Sequence, residues 1–186
     1  MTFIPIEDGT PITPNILNRF VGNSGLVWKS STAFSGGTTY NFDSSLDATG
    51  SGWNRIILSN MTAAANLNMF MQLRTTAPAT LAGANYNTGM YQVSSAGAGT
   101  QSIATATTVY YLGLLNTGLS NYVIDIMCLA NGYTNMIGRG NNQDSTFTFG
   151  GANLLTGNTI GGFSLTLFGG ATVFSGKVNT YYWRKS

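Results

Sequence analysis

The stretch from Asn66 to Thr75 constrains the fold of this chain most strongly, because its apolar and polar residues alternate with a period of two. Successive side chains of a β-strand point to opposite sides of the sheet. One face of such a strand carries only apolar side chains, and these are Leu67, Met69, Met71 and Leu73. The other face carries polar side chains and one phenylalanine, and these are Asn68, Phe70, Gln72 and Arg74. The alternation predicts a strand with one dry face and one partly covered face.

The segment before it, Trp53–Ser59, is also rich in residues that favour strands. We expect the two segments to pair antiparallel across a loop from Asn60 to Asn66. This hairpin is the predicted centre of the domain.

Other strand candidates are separated by turns rich in Gly, Asn, Ser and Thr. They are Leu26–Lys29, Thr38–Phe42, Met90–Ser94, Val109–Leu115, Tyr122–Cys128, Tyr133–Ile137, Thr146–Phe149, Phe163–Leu167 and Lys177–Trp183. In Tyr122–Cys128 both faces are largely apolar, which predicts burial on both sides. About ten short strands without a helix in this part of the chain predict an all-β fold, an antiparallel β-sandwich of the jelly-roll type.

Four segments are interpreted as irregular. Ala77–Asn87 contains Pro78 and is predicted to be a loop, and Ser95–Thr107 is of low complexity and is predicted to be a flexible loop. Gly150-Gly151 is expected to end the strand before it, and Arg139–Asp144 is interpreted as a polar hairpin tip.

The N-terminal segment differs from the rest. Three of the four prolines, Pro5, Pro11 and Pro14, fall here, which predicts an extended stretch over residues 1–13. Thr13-Pro14 is a typical helix start, and Asn15–Val21 can form about two turns before Gly22. The chain is therefore divided into a short extended and helical N-terminal arm, residues 1–24, and a sandwich domain, residues 25–186.

The arm carries an apolar stripe that needs a partner, since so short a helix is not stable alone. It docks either on its own domain or on a neighbouring protein. The predicted attachment residues belong to this stripe and the turns around it, and they are Pro11, Ile12, Pro14, Ile16, Leu17, Arg19, Phe20 and Val21.

Charged residues make up only 8% of the chain, against about 25% in an average soluble domain. A subunit held in an assembly can replace surface charge with Asn, Ser, Thr and Gly, so the composition predicts a stable oligomer. The net charge is +2, with no basic cluster larger than Arg184-Lys185, which argues against a nucleic-acid partner. No apolar run reaches the roughly 18 residues of a membrane span, so membrane insertion is not expected.

The residues of chemical catalysis are scarce. The chain has no histidine, which excludes Ser-His-Asp and Cys-His triads and most zinc sites. Its six carboxylates are Glu7, Asp8, Asp43, Asp47, Asp125 and Asp144. Asp43 and Asp47 could place oxygens around calcium, but they lack the EF-hand pattern and are better explained by a solvated turn. We expect a protein that is not an enzyme and holds no metal or cofactor.

Five aromatic residues leave a second function open: Trp28, Trp53, Tyr86, Tyr91 and Trp183. Aromatic side chains of a sandwich can stack on sugars, which would make the chain a carbohydrate-binding module. Their commoner role is in a core or a subunit interface.

Two stretches resemble known proteins. The first, Asp8-Gly9-Thr10-Pro11-Ile12-Thr13-Pro14-Asn15-Ile16-Leu17-Asn18-Arg19, resembles the N-terminal segment of tail-fibre and related appendage proteins of tailed bacteriophages. The second is the order of β segments from Trp53 to Trp183, which is similar to a small jelly-roll domain of phage virion proteins. It includes Leu73-Arg74-Thr75 at the end of an early strand and Ser175-Gly176 before Tyr181 in the last strand.

This resemblance implies a structural protein on the virion, at the capsid or tail surface. It would be a capsid decoration or head-fibre protein, or a short tail appendage, anchored by its arm to other virion proteins such as the major capsid or tail proteins. The resemblance also implies a homotrimer. The alternative function is a receptor-recognition module of a tail fibre, with a host-surface glycan as its partner.

Overall fold

The computed structural model describes residues 25–47, 52–76, 86–93, 97, 99–107, 110–128, 133–142, 147–155, 159–169 and 172–183. Within these ranges every regular element is a β-strand. The strands are β1 Leu26–Gly37, β2 Thr39–Phe42, β3 Trp53–Ala63, β4 Leu67–Thr75, β5 Tyr86–Val93, β6 Gly99–Thr107, β7 Tyr110–Leu115, β8 Ser120–Cys128, β9 Tyr133–Asn142, β10 Phe147–Leu155, β11 Ile160–Leu167 and β12 Phe174–Trp183. The predicted all-β fold is confirmed. The arm and its attachment residues, from Pro11 to Val21, lie outside the described residues.

The strands form two antiparallel sheets. The large sheet has the order β1-β12-β3-β8-β9-β10-β5-β6, and the small sheet has the order β2-β11-β4-β7. Buried side chains from both sheets form one hydrophobic core, so the molecule is a β-sandwich.

Strand β4 has the two faces that its alternation predicts. Met69, Met71 and Leu73 are completely buried, whereas the side chains of the other face are half-buried. The same alternation appears in β3, where Ile56 and Leu58 are completely buried. Each strand therefore contributes one apolar face to the core.

The predicted hairpin of these two strands is wrong. Strand β3 pairs with β12 and β8 in the large sheet, whereas β4 pairs with β11 and β7 in the small sheet. The turn between them carries the chain from one sheet to the other. It is held by the N–H of Ala64, which donates to the carbonyl oxygen of Val173 at 3.1 Å. Two strands that each have one dry face can bury those faces as neighbours in one sheet or as members of two sheets that face each other across a core. The local sequence does not distinguish these two arrangements.

All four predicted irregular segments are partly or wholly strand. Gly99–Thr107 forms β6 and pairs with β5, and β5 begins at Tyr86, inside the predicted loop. Arg139–Asn142 belongs to β9, and β10 continues through Gly150. A Cβ at Gly150 would lie 2.8 Å from the carbonyl oxygen of Gly89, so glycine there allows close approach of the neighbouring strand. Backbone pairing with an existing sheet outweighs the low strand propensity of these residues.

Strand β8 departs from its prediction in another way. Tyr122, Ile124 and Ile126 are buried as expected, but the opposite face is only half-buried. The large sheet therefore has one face in the core and one that is open to its surroundings.

Two tyrosines connect the sheets across the core. The hydroxyl of Tyr86, on β5, accepts a 2.7 Å hydrogen bond from the N–H of Leu73, two residues beyond the point where pairing of β4 with β7 ends. The hydroxyl of Tyr122, on β8, donates to the carbonyl oxygen of Leu114 at 2.7 Å. Burial raises the pKa of Tyr86 to about 12, with a smaller opposing effect of the Leu73 hydrogen bond.

Candidate functional site

The outer face of the large sheet carries most of the exposed large apolar side chains in the described residues. Strand register places the outward residues in rows across the sheet. One row runs through Trp28, Tyr181, Arg55, Asp125 and Ile137 on five adjacent strands. The neighbouring row on one side pairs Met127 with Trp53, and the row on the other side contains Arg139, Phe149 and Tyr91. Two groups of side chains with different chemistry occupy this face.

The first group, here called the tryptophan cluster, consists of Trp28, Trp53, Arg55, Asp125 and Trp183. The rings of Trp53 and Trp183 meet edge to face, with centroids 6.0 Å apart. The guanidinium carbon of Arg55 lies 5.1 Å from the centroid of the Trp183 ring, within the range of a cation–π interaction. Trp28 and Trp53 remain 46% and 41% exposed.

A bidentate ion pair lies within this cluster. Arg55 Nε donates to Oδ1 of Asp125 at 2.7 Å, and Arg55 Nη2 donates to Oδ2 at 2.9 Å. The two residues are directly opposite each other on β3 and β8. The hydrogen bonds to Asp125 raise the pKa of Arg55. The opposite charges of the guanidinium and the carboxylate offset each other.

The second group, here called the phenylalanine cluster, consists of Tyr91, Ile137, Phe147 and Phe149. These side chains lie on β5, β9 and β10, and each is about half exposed. Tyr91 is directly opposite Phe149, and Arg139 is opposite Phe149 on its other side. The cluster is a contiguous apolar surface with one neighbouring cation.

The outer face of the small sheet is different. Its side chains on β2, β4 and β11 are mainly small or polar, and they are Thr39, Asn41, Asn68, Phe70, Gln72, Arg74, Ser164 and Thr166. Phe70 packs on Phe168, with ring centroids 6.1 Å apart. The Oγ1 atoms of Thr39 and Thr166 are 3.1 Å apart, at hydrogen-bonding distance. Thr39 and Asn41 are exposed, whereas Ser164 is buried, so this face is polar and partly covered.

Three further exposed apolar residues lie at one end of the sandwich: Leu119, Phe168 and Val173. They belong to the connections that follow β7 and β11. The N–H of Phe168 donates to the carbonyl oxygen of Asn68 at 2.8 Å, which places this connection beside the start of β4. The group is smaller than the clusters on the large sheet.

The predicted sugar-stacking aromatic residues separate into two sets. Trp28, Trp53, Trp183 and Tyr91 lie on the outer face of the large sheet, although Tyr91 belongs to the phenylalanine cluster. Tyr86 lies in the core and its ring is not accessible. The sequence does not indicate this division, because the residues of both sets are aromatic and belong to strands.

The predicted turn at Asp43 is confirmed as a turn. Asp43 pairs with Arg74, whose Nε donates to Oδ1 at 2.5 Å. In the described ranges no three His, Cys, Asp or Glu residues come together as metal ligands, and no helix there is long and apolar enough to cross a membrane.

Sequence reasoning missed two features of the site. It placed Phe147 and Phe149 in a strand without assigning them a role, and it did not pair Arg55 with Asp125. The pair is separated by 70 residues, so only the register of β3 and β8 brings it together.

Comparison with known proteins adds little. No family model matches the sequence. No curated protein matches it either. Among solved structures, the fold is similar to a protein of unknown function from Shewanella oneidensis MR-1, with a TM-score of 0.39 and 8% sequence identity over 86% of this chain and 76% of that chain. A likeness at this level supports no argument about function.

Proposed function

We propose that this chain is a non-enzymatic structural subunit of a tailed-phage virion, at the capsid or tail surface. It would be a capsid decoration or head-fibre protein, or a short tail appendage. The chain forms a homotrimer through the phenylalanine cluster, and residues 1–24 attach the trimer to other virion proteins. The jelly-roll form of the sandwich belongs to the same proposal.

The observation that carries the proposal is the chemistry of the phenylalanine cluster. Soluble monomers rarely leave a contiguous group of large apolar side chains in water, and such groups usually mark contacts with other proteins. Here four of them lie together on three adjacent strands. Aromatic residues accompanied by arginine are also the residues that protein interfaces favour, and Arg139 adjoins Phe149.

The low charge of the chain supports the same conclusion. Only 14 of 186 residues are Asp, Glu, Lys or Arg. On the large sheet Arg55 and Asp125 neutralise each other, so Arg139 is the charged side chain directly opposite a residue of the phenylalanine cluster whose charge is not offset by that pair. An assembly that buries this cluster removes the apolar surface from water, which stabilises the assembled state.

Sedimentation of the full chain tests the oligomer. The wild-type protein at micromolar concentration is expected at three times the 19.7 kDa chain mass. Phe149→Lys places a second cation beside Arg139 in a surface that would have to be desolvated, so this variant is expected to dissociate. The matched control is Asn41→Lys, which adds the same charge to an exposed position of the small sheet and is expected to sediment like the wild type.

Two outcomes contradict the proposed interface. One is a wild-type protein that is monomeric at this concentration. The other is a Phe149→Lys protein that remains folded by circular dichroism and sediments as the wild type does. Ile137→Lys, at the other side of the cluster, repeats the test in case the first variant fails to fold.

Deletion of residues 1–21 tests the attachment. Because each proline removes a backbone donor, the arm is not expected to pair regularly in a sheet. The shortened chain is therefore expected to melt within a few degrees of the full chain and to be absent from purified particles. Normal occupancy of particles by the shortened chain would place the attachment surface on the sandwich instead.

A further inference from the structure

We propose that the tryptophan cluster is a binding site for a neutral oligosaccharide. This inference concerns a surface separate from the phenylalanine cluster, and it applies to the protein whether or not it belongs to a virion. It rests on the exposed aromatic surfaces, on the fixed ion pair and on the spacing between them.

The first element of the site is aromatic surface that remains partly exposed. A sugar ring presents a face of C–H groups, which packs favourably on the negative face of an aromatic ring. Trp28 and Trp53 lie on the open face of the sheet with nearly half of their surfaces exposed. Aromatic residues that served only to stabilise the sheet would be expected to bury these surfaces against each other.

The second element is the ion pair of Arg55 and Asp125. An arginine has five N–H donors, and the two hydrogen bonds to Asp125 use two of them. Each carboxylate oxygen can accept a further hydrogen bond. Arg55 and Asp125 side chains are 29% and 27% exposed, so donors and acceptors are presented together to a ligand. Adjacent hydroxyl groups of a sugar both donate and accept, which matches this pair.

The third element is rigidity. Arg55 is held by Asp125 on one side and by the ring of Trp183 on the other. Both contacts come from neighbouring strands of the same sheet. A guanidinium group that is already oriented loses little conformational freedom when a ligand binds, which lowers the cost of association.

The spacing fits more than one sugar ring. Trp28 and Arg55 are in one row, separated by β12, so their backbones are two strand spacings or roughly 10 Å apart. Half-buried Tyr181 lies between them in that row. A chain of two or more sugars laid along the row would contact Trp28 at one end and the ion pair at the other.

The absence of net charge in Arg55 and Asp125 selects a neutral ligand. An acidic sugar would bring its carboxylate or sulfate toward Asp125, and a cationic one would meet Arg55. The phenylalanine cluster, by contrast, has Arg139 beside it without a carboxylate directly opposite, since Val123 and Phe149 are the partners of Arg139 in the sheet. The chemistry therefore assigns the sugar to the tryptophan cluster and the protein contact to the phenylalanine cluster.

The experiment uses the full chain and two measurements. The first is an array of immobilised neutral and acidic glycans, whose dense display increases retention of an oligomer through avidity. The second is a fluorescence titration with soluble tetrasaccharides of glucose, galactose, mannose and N-acetylglucosamine. The chain has three tryptophans and all belong to this cluster, so tryptophan emission reports on the site directly.

We expect retention on one or more neutral glycans and a saturable change in tryptophan emission with the corresponding tetrasaccharide. Arg55→Met and Trp28→Ala should each weaken binding by about tenfold, the effect of losing one hydrogen bond to a charged group or a comparable contact. The matched control is Phe168→Ala, which removes an exposed aromatic residue at the end of the sandwich and should change affinity less than about twofold.

The proposal is overturned if the array retains the protein on no neutral glycan, or on acidic glycans alone. It is also overturned if Phe168→Ala weakens binding as much as Arg55→Met does. Phe149→Lys separates this result from the oligomer, because it should leave the affinity for the tetrasaccharide unchanged while it abolishes the trimer. Each proposal can therefore fail without the other.

Discussion

The large sheet directs tryptophan, phenylalanine, tyrosine and isoleucine side chains outward, whereas the small sheet directs mainly threonine, serine, asparagine and glutamine outward. Both sheets bury their other face in the same core. The sandwich therefore needs only one apolar face from each sheet, and the second apolar face of the large sheet is not required for folding. Its composition has another cause, which we infer to be binding.

The ion pairs of the two faces show the same difference. Arg55 and Asp125 are directly opposite on paired strands, and both side chains are less than one-third exposed. Arg74 pairs with Asp43 from a turn after β2, and the Arg74 and Asp43 side chains are 13% and 44% exposed. The first pair is fixed by strand register, whereas the carboxylate of the second lies in a turn in contact with water.

The largest expected effect tests which face of β4 belongs to the core. Met69→Asp buries a charge at a position with no exposed surface, and we expect it to cost on the order of 4 kcal/mol or more and to prevent folding. Gln72→Asp places the same charge on the outer face, beside Arg74 in the next outward position, and should cost about 1 kcal/mol or less.

Thermal melts of the two variants provide the measurement. Similar losses in both would mean that the outer face of the small sheet is buried against something, and the comparison of the two sheets would then fail.

A smaller effect tests the hydrogen bond between Tyr86 and Leu73, which connects the two sheets. The folded protein retains the proton of Tyr86 up to about pH 12, whereas the unfolded chain loses it near pH 10. Between these values the folded state binds more protons, so stability falls as the pH rises. This difference in pKa corresponds to roughly 2–3 kcal/mol in the free energy of unfolding. The contribution is fully present below pH 10 and is lost as the pH rises to about 12.

Urea unfolding between pH 9 and pH 11.5 measures this loss, with Tyr86→Phe as the comparison. The variant should be weaker at neutral pH by about 1–3 kcal/mol, because the N–H of Leu73 loses its acceptor. It should also lose less stability than the wild type as the pH rises. Parallel pH curves for the two proteins would show that Tyr86 is not the buried group that titrates.

The smallest expected effect is the difference in coupling energy between the two ion pairs. A double-mutant cycle of Arg55→Met and Asp125→Ala should give a coupling energy of about 1–2 kcal/mol, because the pair is bidentate and partly shielded. The equivalent cycle of Arg74→Met and Asp43→Ala should give about 0.5 kcal/mol or less, because the Asp43 carboxylate is exposed to water. Urea unfolding at one protein concentration measures both.

The dependence of the two coupling energies on salt concentration provides a second comparison of the ion pairs. Screening should reduce the coupling of Arg74 and Asp43 more than that of Arg55 and Asp125. Equal coupling energies with equal salt dependence would remove the physical distinction between the two outer faces.

Several elements could be predicted because their evidence is local. The alternation of Leu67, Met69 and Met71 is sufficient to define a strand and its dry face, since strand geometry alone sends alternate side chains to opposite sides. The turn at Asn116 and Gly118 is equally local, because the Asn116 side chain accepts a hydrogen bond from the N–H of Gly118 at 3.1 Å.

The predictions for other elements were wrong because the stability of these elements comes from a partner strand. Gly99–Thr107 has mainly small side chains and the low-complexity composition of a loop, yet it pairs along β5. Gly150 similarly lies within β10, paired with Gly138 and Met90. A segment that obtains its hydrogen bonds from a distant part of the chain carries little sign of them in its own sequence.

The amino-acid sequence alone was enough to predict that the described part of the chain is all-β, which faces of its best strands are dry, and that the chain is poor in charge. Tertiary structure alone decided that β3 and β4 lie in different sheets, that Tyr86 is buried while Trp28 and Trp53 are exposed, and that Arg55 meets Asp125. The physical reason is that alternation specifies two faces of a strand but not its neighbours. Only the pairing of distant strands determines which aromatic side chains enter the core and which lie on the outer face of a sheet.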